Sequence, residues 1–373
     1  MKPYRLIHNK SIPAYISFIC LLTLFSCAKP EKNFEEISEN QLVAEKGIQL
    51  ENFSKKWFLN YKEILKTGEG LLFGSTEICP KYHQFYDLGI KLTNMYTAPE
   101  VIRMELQKIL NLGEYLQIVS VADKSPASLA GIREGDTIIS IDGFELHGEY
   151  ALQEYESLIN KDMQKSYQIE LAREDRKEFL TVISKLRCGY NISVDFDNNK
   201  FNAWSDGNLN INFSLRLSDW LREDESSIAF IAAHEMAHII KGHSNLKKKN
   251  KKIAGIVGLV IDVSAYSAGI NTGGRIKSFA EKIGINRYSI EFEKEADYVG
   301  MYILALNGYE YENMSIFWRK FSTEVPESIY SSKNNTHPST ADRYALLDAT
   351  AKEIKQKIKN NEKLLPETEL DKK

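Results

Sequence analysis

The sequence predicts an α+β protein: a mostly helical domain with a small sheet, preceded by a β-rich module. Strand-type alternation and tight-turn dipeptides are concentrated between residues 115 and 183, whereas helical stretches dominate from residue 224 onward. The chain has 373 residues, 43% hydrophobic and 27% charged, which is a globular composition long enough for two domains. A formal net charge of −3 argues against nucleic acid as a partner, because such proteins need an excess of Lys and Arg.

Residues 1–26 have the features of an export signal. Three basic residues and no acid precede an apolar run from Ala14 to Phe25, which is too short to cross a bilayer comfortably. The run ends in Leu24-Phe25-Ser26-Cys27, which resembles the lipobox of bacterial lipoproteins. The resemblance implies lipid attachment at Cys27 and a bacterial envelope location, and Ala28 favours the periplasmic side of the outer membrane. An uncleaved anchor and a plain secretory signal are the alternatives.

The cysteines agree with export. Cys20 lies in the signal and Cys27 is the lipidation site, which leaves Cys79 and Cys188 as a candidate disulfide in an oxidising compartment. Two separate buried thiols are the alternative. A bridge between them would join the two ends of the β-rich module.

The segments outside the two main domains are predicted from polarity and periodicity. Residues 27–47 form a polar tether, and residues 48–112 a helical segment that packs on the domain of residues 187–350. Within that segment, apolar residues at helical spacing predict a helix that ends at Gly68. Residues 351–373 form a charged C-terminal tail.

The β-rich module is predicted over residues 113–186. Its sequence has a Pro-started turn at Pro126, tight turns at Gly135-Asp136 and Asp142-Gly143, and a closing hairpin from Tyr167 to Ile183. This string resembles a PDZ domain of the bacterial protease-associated type. The resemblance implies binding of an extended chain by strand addition, with backbone N–H groups holding a terminal carboxylate.

The carboxylate-binding loop departs from the PDZ pattern. The Gly-Leu-Gly-type loop is expected at Leu112-Gly113-Glu114-Tyr115-Leu116, where Glu114 adds a like charge. This composition argues against capture of a terminal carboxylate. A spacer module that only packs on its neighbour is the alternative.

The helical domain, residues 187–350, carries the chemistry. A helix from Asp224 to Lys241 is apolar on nearly all faces, so it is expected to be buried. It contains His234 and His238 one turn apart, close enough to bind one Zn²⁺, with Glu235 flanking the open position. The alternative is a pair of histidines packed in a helix core.

A second helix, closing at Asn307-Gly308, supplies carboxylates. Glu293 and Asp297 lie one turn apart on the same face. Glu293 as third ligand leaves a fourth position for water, and Asp297 can accept the outer N–H of a ligand histidine. Burying two carboxylates beside two histidines is costly without a metal, so the sequence predicts one zinc ion per chain.

These motifs resemble those of the zinc peptidases of family M48. The HExxH motif at His234 to His238 and the ExxAD motif at Glu293 to Asp297 are followed by an HPxxxxR motif at His337 to Arg343. The strand that lines the substrate in this family is matched by Asn202-Ala203-Trp204.

The resemblance implies a role for several of these residues. It selects Glu293 over Glu291 and Glu295 as the ligand, and it places His337 and Arg343 on the substrate or oxyanion side of the zinc. It also implies that the substrate pairs with the strand of Asn202 and Ala203. His243 is expected to be a packing histidine rather than a fourth ligand.

The sequence also contains a lysine run, from Lys247 to Lys252, followed by a Gly/Ala-rich stretch from Ile253 to Gly274. We expect a solvated charged turn and a close-packed helix here, with a membrane-touching element as the alternative. No apolar run of about 18 residues occurs outside the signal, which argues against an intramembrane protease.

Together these features predict a zinc endopeptidase of the cell envelope. Its expected substrates are unfolded or misassembled envelope proteins, which the PDZ module would recruit or gate. The alternative is a chaperone or peptide-binding factor with a latent active site, in which the zinc is structural or His337 closes the fourth position. The sequence leaves the oligomeric state open.

Overall fold

The computed structural model describes residues 37–174, 176–195, 200–206, 209–267, 272–273, 275–326, 329, 337 and 341–367. The predicted signal, with Cys20 and the lipidation site Cys27, lies outside the described residues. The chain divides after Gln49 into two units, and the sites described below lie in the second, Leu50–Lys373.

The first helix, α1, extends further than the sequence predicts. It spans Glu39–Gly74, whereas a tether was expected up to residue 47 and a helix end at Gly68. Gly68 lies inside the helix and does not end it. Its missing side chain allows close packing, since a Cβ atom there would lie 2.6 Å from Ile192 Cδ1. Gly74 ends α1 against Asn307, where a Cβ atom would lie 2.1 Å from the amide oxygen.

A two-stranded ladder follows α1 and joins distant parts of the chain. Strand β1 (Gln84–Asp87) pairs antiparallel with β8 (Lys185–Cys188). Next to this ladder, Cys79 and Cys188 are joined by a disulfide across 109 positions of sequence. Short 3-10 helices lie at Lys81–His83 and Glu100–Ile102.

The β-rich module is a six-stranded sheet with its own apolar core. The strand order is β2-β3-β4-β6-β7, and β5 pairs with β4. The strands are β2 (Ile90–Thr93), β3 (Leu116–Val121), β4 (Thr137–Ile141), β5 (Phe144–Glu145), β6 (Ser166–Arg173) and β7 (Arg176–Ile183). Its helices are α3 (Pro126–Leu129) and α4 (Ala151–Leu158), whereas helix α2 (Arg103–Leu110) buries Leu106 in the core of the second domain.

This module begins earlier than residue 113, where the sequence placed its start. Strand β2 pairs antiparallel with β3 and is an edge strand of the sheet over the described residues. Ile90 and Leu92 contribute to the core of the module, although they precede the predicted boundary. The strand is only four residues long, which is too short for its alternation to be recognised from sequence.

The second domain combines a small sheet with long helices. Its sheet has the order β10-β11-β9, in which β10 is antiparallel and β9 parallel to the central strand. The strands are β9 (Asn191–Asp195), β10 (Ala203–Ser205) and β11 (Asn210–Ser214). The helices are α5 (Leu215–Leu221), α6 (Glu225–Ile240), α7 (His243–Ser267), α8 (Arg275–Asn307), α9 (Met314–Glu324) and α10 (Ala341–Lys359).

Helix α6 lies at the centre of this domain. The Asp224 side chain accepts a hydrogen bond from Ser227 N and so caps the helix start. From Ser227 to His238 every side chain is buried, as the continuous apolar pattern predicts. Helix α8 packs closely against it, because Gly300 has no side chain: a Cβ atom there would lie 3.2 Å from His234 N.

The predicted tail does not begin at residue 351. Helix α10 continues to Lys359, and Ala351 and Ile354 are buried in the core of the domain. Over the part of the chain that the structure describes, none of the helices has the length and hydropathy needed to cross a membrane. The α+β fold class, with a β-rich module and a mostly helical domain, is confirmed.

Candidate metal centre and active site

Four buried side chains converge on one point between α6 and α8. His234 and His238 come from α6, Glu293 comes from α8, and His337 precedes α10. One ligand atom from each lies within 4.8 Å of the others. The set therefore contains three imidazoles and one carboxylate, which are donors that Zn²⁺ prefers.

The spacing of these donors suits a tetrahedral ion. His234 Nε2 lies 3.1 Å from His238 Nε2 and 3.2 Å from Glu293 Oε2. His337 Nδ1 lies 3.3 Å from His234 Nε2. Bonds of 2.0–2.1 Å in a tetrahedron place neighbouring donors about 3.3 Å apart. The residues present therefore fit a zinc ion.

The charges of the site also call for a cation. Burial opposes ionisation of His234, but hydrogen bonds to Asp297 and Glu293 outweigh burial and raise its pKa to about 9. For His238, burial outweighs the favourable contacts with Glu293 and Glu235 and lowers its pKa to about 4. Without a metal ion, the buried carboxylates thus hold a proton on His234. A bound metal ion would supply this positive charge instead.

Two groups behind the donors hold them in place. Asp297 Oδ1 lies 3.0 Å from His234 Nδ1, the ring nitrogen that faces away from the other donors. Arg343 is fully buried, donates from Nη2 to Asp297 Oδ1 at 2.8 Å, and has Nη1 3.4 Å from Glu293 Oε2. Trp318 Nε1 donates to the same Asp297 oxygen at 3.2 Å, and the indole covers the guanidinium.

The other ligand histidine has its own support. His238 Nδ1 lies 2.8 Å from His243 Nδ1, and His243 Nε2 lies 3.0 Å from Glu295 Oε2. The ring of His243 stacks on Phe292. His243 therefore contacts the outer nitrogen of a ligand histidine and does not lie in the donor cluster itself.

Glu235 is placed to move a proton. It is buried beside the donors, with Oε1 3.3 Å from His337 Nε2. Burial alone would raise its pKa, but the three neighbouring histidines lower it, so the side chain is a carboxylate. A carboxylate at this position can accept a proton from a water held between it and the metal position.

A narrow pocket of about 10 Å³, which is room for about one water molecule, opens beside the donors. It lies between the donor cluster, edge strand β10 and helix α9, and most of its lining is apolar. The lining residues are Asn202, Ala203, Leu217, Ile231, His234, Glu235, Trp318, Phe321 and His337. Its composition suits an apolar side chain of a bound polypeptide.

The structure brings the predicted site residues together, and two of them lie elsewhere than expected. His337 is a member of the donor cluster, where the sequence analysis placed it only in its alternative function. Arg343 lies behind the donors with no exposed surface, so it positions Asp297 and Glu293 and does not face the substrate or an oxyanion. The carbonyl oxygen of Ala203 lies 3.2 Å from His337 Nε2, within hydrogen-bond distance.

Two further residues support the site, and the first of them was not predicted. Trp318 contacts Asp297 and lines the pocket, although nothing in its sequence context distinguishes it from other apolar positions of α9. Glu295, over which Glu293 was selected as the ligand, is the group that holds His243. The sequence feature that could have indicated this role is the spacing of two residues from Glu293, which places Glu295 on a different side of the helix.

The loop that precedes edge strand β2 is the other candidate binding site. Asp87 Oδ1 accepts hydrogen bonds from the backbone N–H groups of Leu88 and Gly89, at 2.6 and 3.1 Å. Leu88 and Gly89 are buried, and Gly89 has a positive φ of 83°. This loop, not Leu112 to Leu116, leads into the edge strand. Its N–H groups are already satisfied by a carboxylate of the chain itself.

Comparison with known families agrees with this architecture. Residues 180–351 match the model of peptidase family M48, and residues 87–183 match that of the PDZ domain. The fold and the donor set define a metallopeptidase, and members of family M48 use zinc. The chain therefore carries a peptidase domain similar to those of family M48, with a PDZ domain ahead of it.

Solved structures resemble the chain only weakly. The HtrA3 PDZ domain bound to a phage-derived ligand is 20% identical over 29% of this chain and 92% of that chain, with a TM-score of 0.23. The HtrA-type protease AlgW with a decapeptide is 24% identical over 28% of this chain, with a TM-score of 0.22. This chain spans 30% of the length of AlgW. No curated protein matches the sequence.

Proposed function

We propose that the chain is a zinc endopeptidase that cleaves unfolded or misassembled proteins of the bacterial cell envelope. The observation that carries this proposal is the position of the donor cluster between the carboxylate of Glu235 and the edge strand β10. Export is supported by the signal in residues 1–26 and by the disulfide, since such bonds persist in oxidising compartments.

The chemistry depends on a few groups of the chain. Zinc held by His234, His238 and Glu293 would act as a Lewis acid on the peptide carbonyl and make the attacking water more acidic. Glu235 accepts the proton of that water on a carboxylate oxygen and then delivers it to the leaving amine. Asp297 fixes the orientation of His234 throughout.

The substrate is expected to be extended. Strand β10 has β11 on one side and is otherwise an edge over the described residues, so an extended chain can add to the sheet there. A chain bound along β10 passes the donor cluster, because Ala203 of this strand contacts His337. The neighbouring pocket has a mostly apolar lining and would have to widen before it could take an apolar side chain. A folded protein cannot present its backbone in this way.

The PDZ module is proposed to recruit or gate such chains without gripping a free C-terminus. Asp87 satisfies the N–H groups of Leu88 and Gly89, and Arg187 holds Asp87 Oδ2 at 3.2 Å. A terminal carboxylate would have to displace Asp87, which is paired with the buried Arg187. Extended internal segments that add to edge strand β2 avoid that cost.

The first test is cleavage of casein, an unfolded model protein, by residues 28–373. We expect the wild type to cleave and Glu235→Gln to lose activity by at least about a hundredfold, because the general base is removed. Both proteins should bind one zinc ion, since Glu235 is not a donor. Glu291→Gln, an exposed position on the same helix as Glu293, is the control. Equal cleavage by Glu235→Gln and wild type would refute the proposed role of Glu235.

The lipid anchor has a separate test. In cells fed a radiolabelled or clickable fatty acid, the full chain should be labelled and should sediment with membranes. Cys27→Ala should lose the label, because the thiol is the acceptor. Cys20→Ala keeps Cys27 and is the matched control. Labelling of Cys27→Ala would show that the lipid is attached elsewhere.

The alternative function is a peptide-binding factor with a latent active site. It is favoured by one observation: His337 Nδ1 lies among the donors, 2.8 Å from Glu293 Oε2, and can fill the fourth position. His337→Ala separates the two functions. A latent enzyme should become more active when this position is opened, whereas an enzyme in which His337 assists the reaction should become slower.

A further inference from the structure

Helix α7 carries a row of aliphatic side chains that the fold leaves exposed. Ile253 is 50% exposed, Ile256 55% and Val260 61%. Their spacing of three and four residues places them on one face of the helix. Leu259 and Val263 are also about half exposed and extend the row. Single exposed aliphatic residues are common, but a continuous row marks a contact surface. The sequence had favoured a close-packed helix here.

The helix is strongly basic at its start. Five lysines precede the aliphatic row, namely Lys247, Lys248, Lys249, Lys251 and Lys252. No acidic residue occurs from His243 to Ile261. Lys249 lies one turn before Ile253, and Lys252 one turn before Ile256, so the basic and aliphatic parts form one surface. We call this face of the helix, from Lys249 to Val263, the basic-aliphatic surface.

We propose that the basic-aliphatic surface binds an anionic lipid bilayer, with α7 lying in the plane of the interface. The lysines would contact lipid phosphates while their stems and the aliphatic row enter the boundary between headgroups and acyl chains. Fourteen helical steps give this surface a length of about 21 Å along the membrane. The proposal concerns binding to the surface and no crossing of the bilayer.

Lipid fits this surface better than a protein partner does. Contact surfaces between proteins are enriched in aromatic residues and Arg and are depleted of Lys. The segment from His243 to Val263 contains no aromatic residue apart from the histidine itself and no Arg, while it contains five lysines. Clustered lysines beside aliphatic residues are the pattern that anionic headgroups attract.

The proposal extends beyond the peptidase function and does not depend on it. It does, however, affect which chains reach the active site. Helix α7 begins at His243, which contacts His238, and Lys247 Nζ lies 3.9 Å from Glu293 Oε1. The helix that carries the basic-aliphatic surface thus starts beside the donor cluster. An enzyme bound through it would meet polypeptides at the lipid surface first.

The test is co-sedimentation of residues 28–373 with lipid vesicles. This form contains every described residue and lacks Cys27, so an attached lipid cannot explain binding. We expect binding to vesicles of phosphatidylcholine with about one-third phosphatidylglycerol, at least about tenfold stronger than to phosphatidylcholine alone. Binding should weaken as the salt concentration rises, because salt screens the lysines.

Variants assign the binding to α7. Lys249→Glu/Lys252→Glu and, separately, Ile253→Ser/Ile256→Ser should each lower partitioning by about tenfold or more. Lys352→Glu/Lys359→Glu makes the same charge change at exposed positions of α10 and should bind nearly as the wild type does. Circular dichroism and cleavage of soluble casein should be unchanged in all three, since none of these residues contacts the donors.

Three results would overturn the proposal. One is wild-type protein that remains in the supernatant with anionic vesicles at low salt. Another is equal binding by the lysine variant of α7 and the lysine variant of α10. The third is concentration-dependent self-association without lipid that Ile253→Ser/Ile256→Ser abolishes, which would assign the surface to a second copy of the chain.

Discussion

Two clusters in this molecule are built around a fully buried arginine, and they differ in what completes them. Arg343 holds Asp297 and Glu293 behind the donor cluster, and Arg187 holds Glu69 and Asp87 between α1 and the PDZ loop. Arg187 is 2% exposed and Arg343 is not exposed at all. Both arginines therefore depend on their carboxylates, and the carboxylates on them.

The charge balance separates the two clusters. Around Arg187, the two carboxylates of Glu69 and Asp87 are matched by Arg187 itself and by Lys91, whose Nζ lies 3.0 Å from Glu69 Oε1. Such a cluster is complete without a ligand.

Around Arg343 the balance is different. The carboxylates of Asp297, Glu293 and Glu235 carry three negative charges against one guanidinium, and without a metal a proton on His234 offsets only one of the two that remain. Lys247 Nζ lies 3.9 Å from Glu293 Oε1. A divalent cation would remove this excess. The comparison teaches that a buried acid becomes a sign of a metal site only after the neighbouring cations have been counted.

The largest expected effect comes from breaking the balanced cluster. Arg187→Met leaves Glu69 and Asp87 without their buried partner and should lower the free energy of unfolding by about 3–5 kcal/mol. Urea denaturation measures it. The double variant Arg187→Met/Glu69→Gln should recover part of the loss, because one uncompensated charge is gone. A loss below about 1 kcal/mol would mean that water reaches this cluster.

Removal of the metal should lower the free energy of unfolding only through the cluster around Arg343. At a zinc concentration about a hundredfold above its dissociation constant, the wild type should gain about 2.7 kcal/mol over the metal-free protein. Arg187→Met should show the same gain with zinc, although its free energy of unfolding without zinc is lower than that of the wild type. Glu293→Gln should gain much less, since it loses a donor. An equal gain in Glu293→Gln and the wild type would place the metal elsewhere.

A smaller effect is expected from the groups that orient the ligands. Asp297→Asn should weaken zinc binding about 10–100-fold, because the outer nitrogen of His234 loses its carboxylate. Asp87→Asn makes the same change in the balanced cluster and should leave zinc affinity unchanged. Competition with a chromogenic chelator measures both. Equal affinities for the two variants would contradict the role given to Asp297.

The smallest effect is a pH dependence. Burial alone would raise the pKa of Glu69, but Arg187 and Lys91 outweigh it and hold the pKa below its ordinary value. The folded state therefore gains stability from ionised Glu69 above about pH 4.5, and this gain is lost as the pH falls towards the lowered pKa. Glu69→Gln should show a shallower fall in melting temperature below about pH 4.5 than the wild type. A parallel fall would assign the acid sensitivity to other carboxylates.

Local spacing made part of the site predictable. His234 and His238 share a helix face with the geometry that one ion needs, and Glu293 and Asp297 repeat this arrangement on a second helix. The continuous apolar pattern also predicted the burial of α6. Each of these inferences depends on the periodicity of one helix.

The remaining features depend on contacts between segments that are distant in sequence. The place of His337 among the donors and the burial of Arg343 depend on how α10 packs, which no local pattern reports. The start of the PDZ module at β2 depends on pairing with β3. The exposed row on α7 was missed for the same reason, because an aliphatic segment looks the same in sequence whether or not a partner covers it.

The close contact at Gly300 has a consequence for the choice of metal ion. Two helical turns separate Gly300 from Glu293, so the distance between α6 and α8 at this glycine sets the distance between the imidazoles and the carboxylate. A methyl group at Gly300 would press on the backbone of His234, which cannot rotate away as a side chain can. The helices would separate by a few tenths of an ångström, about the difference between the bond lengths of Zn²⁺ and those of larger ions such as Ca²⁺. The ionic radius that this site accepts is thus governed by a residue that never touches the ion.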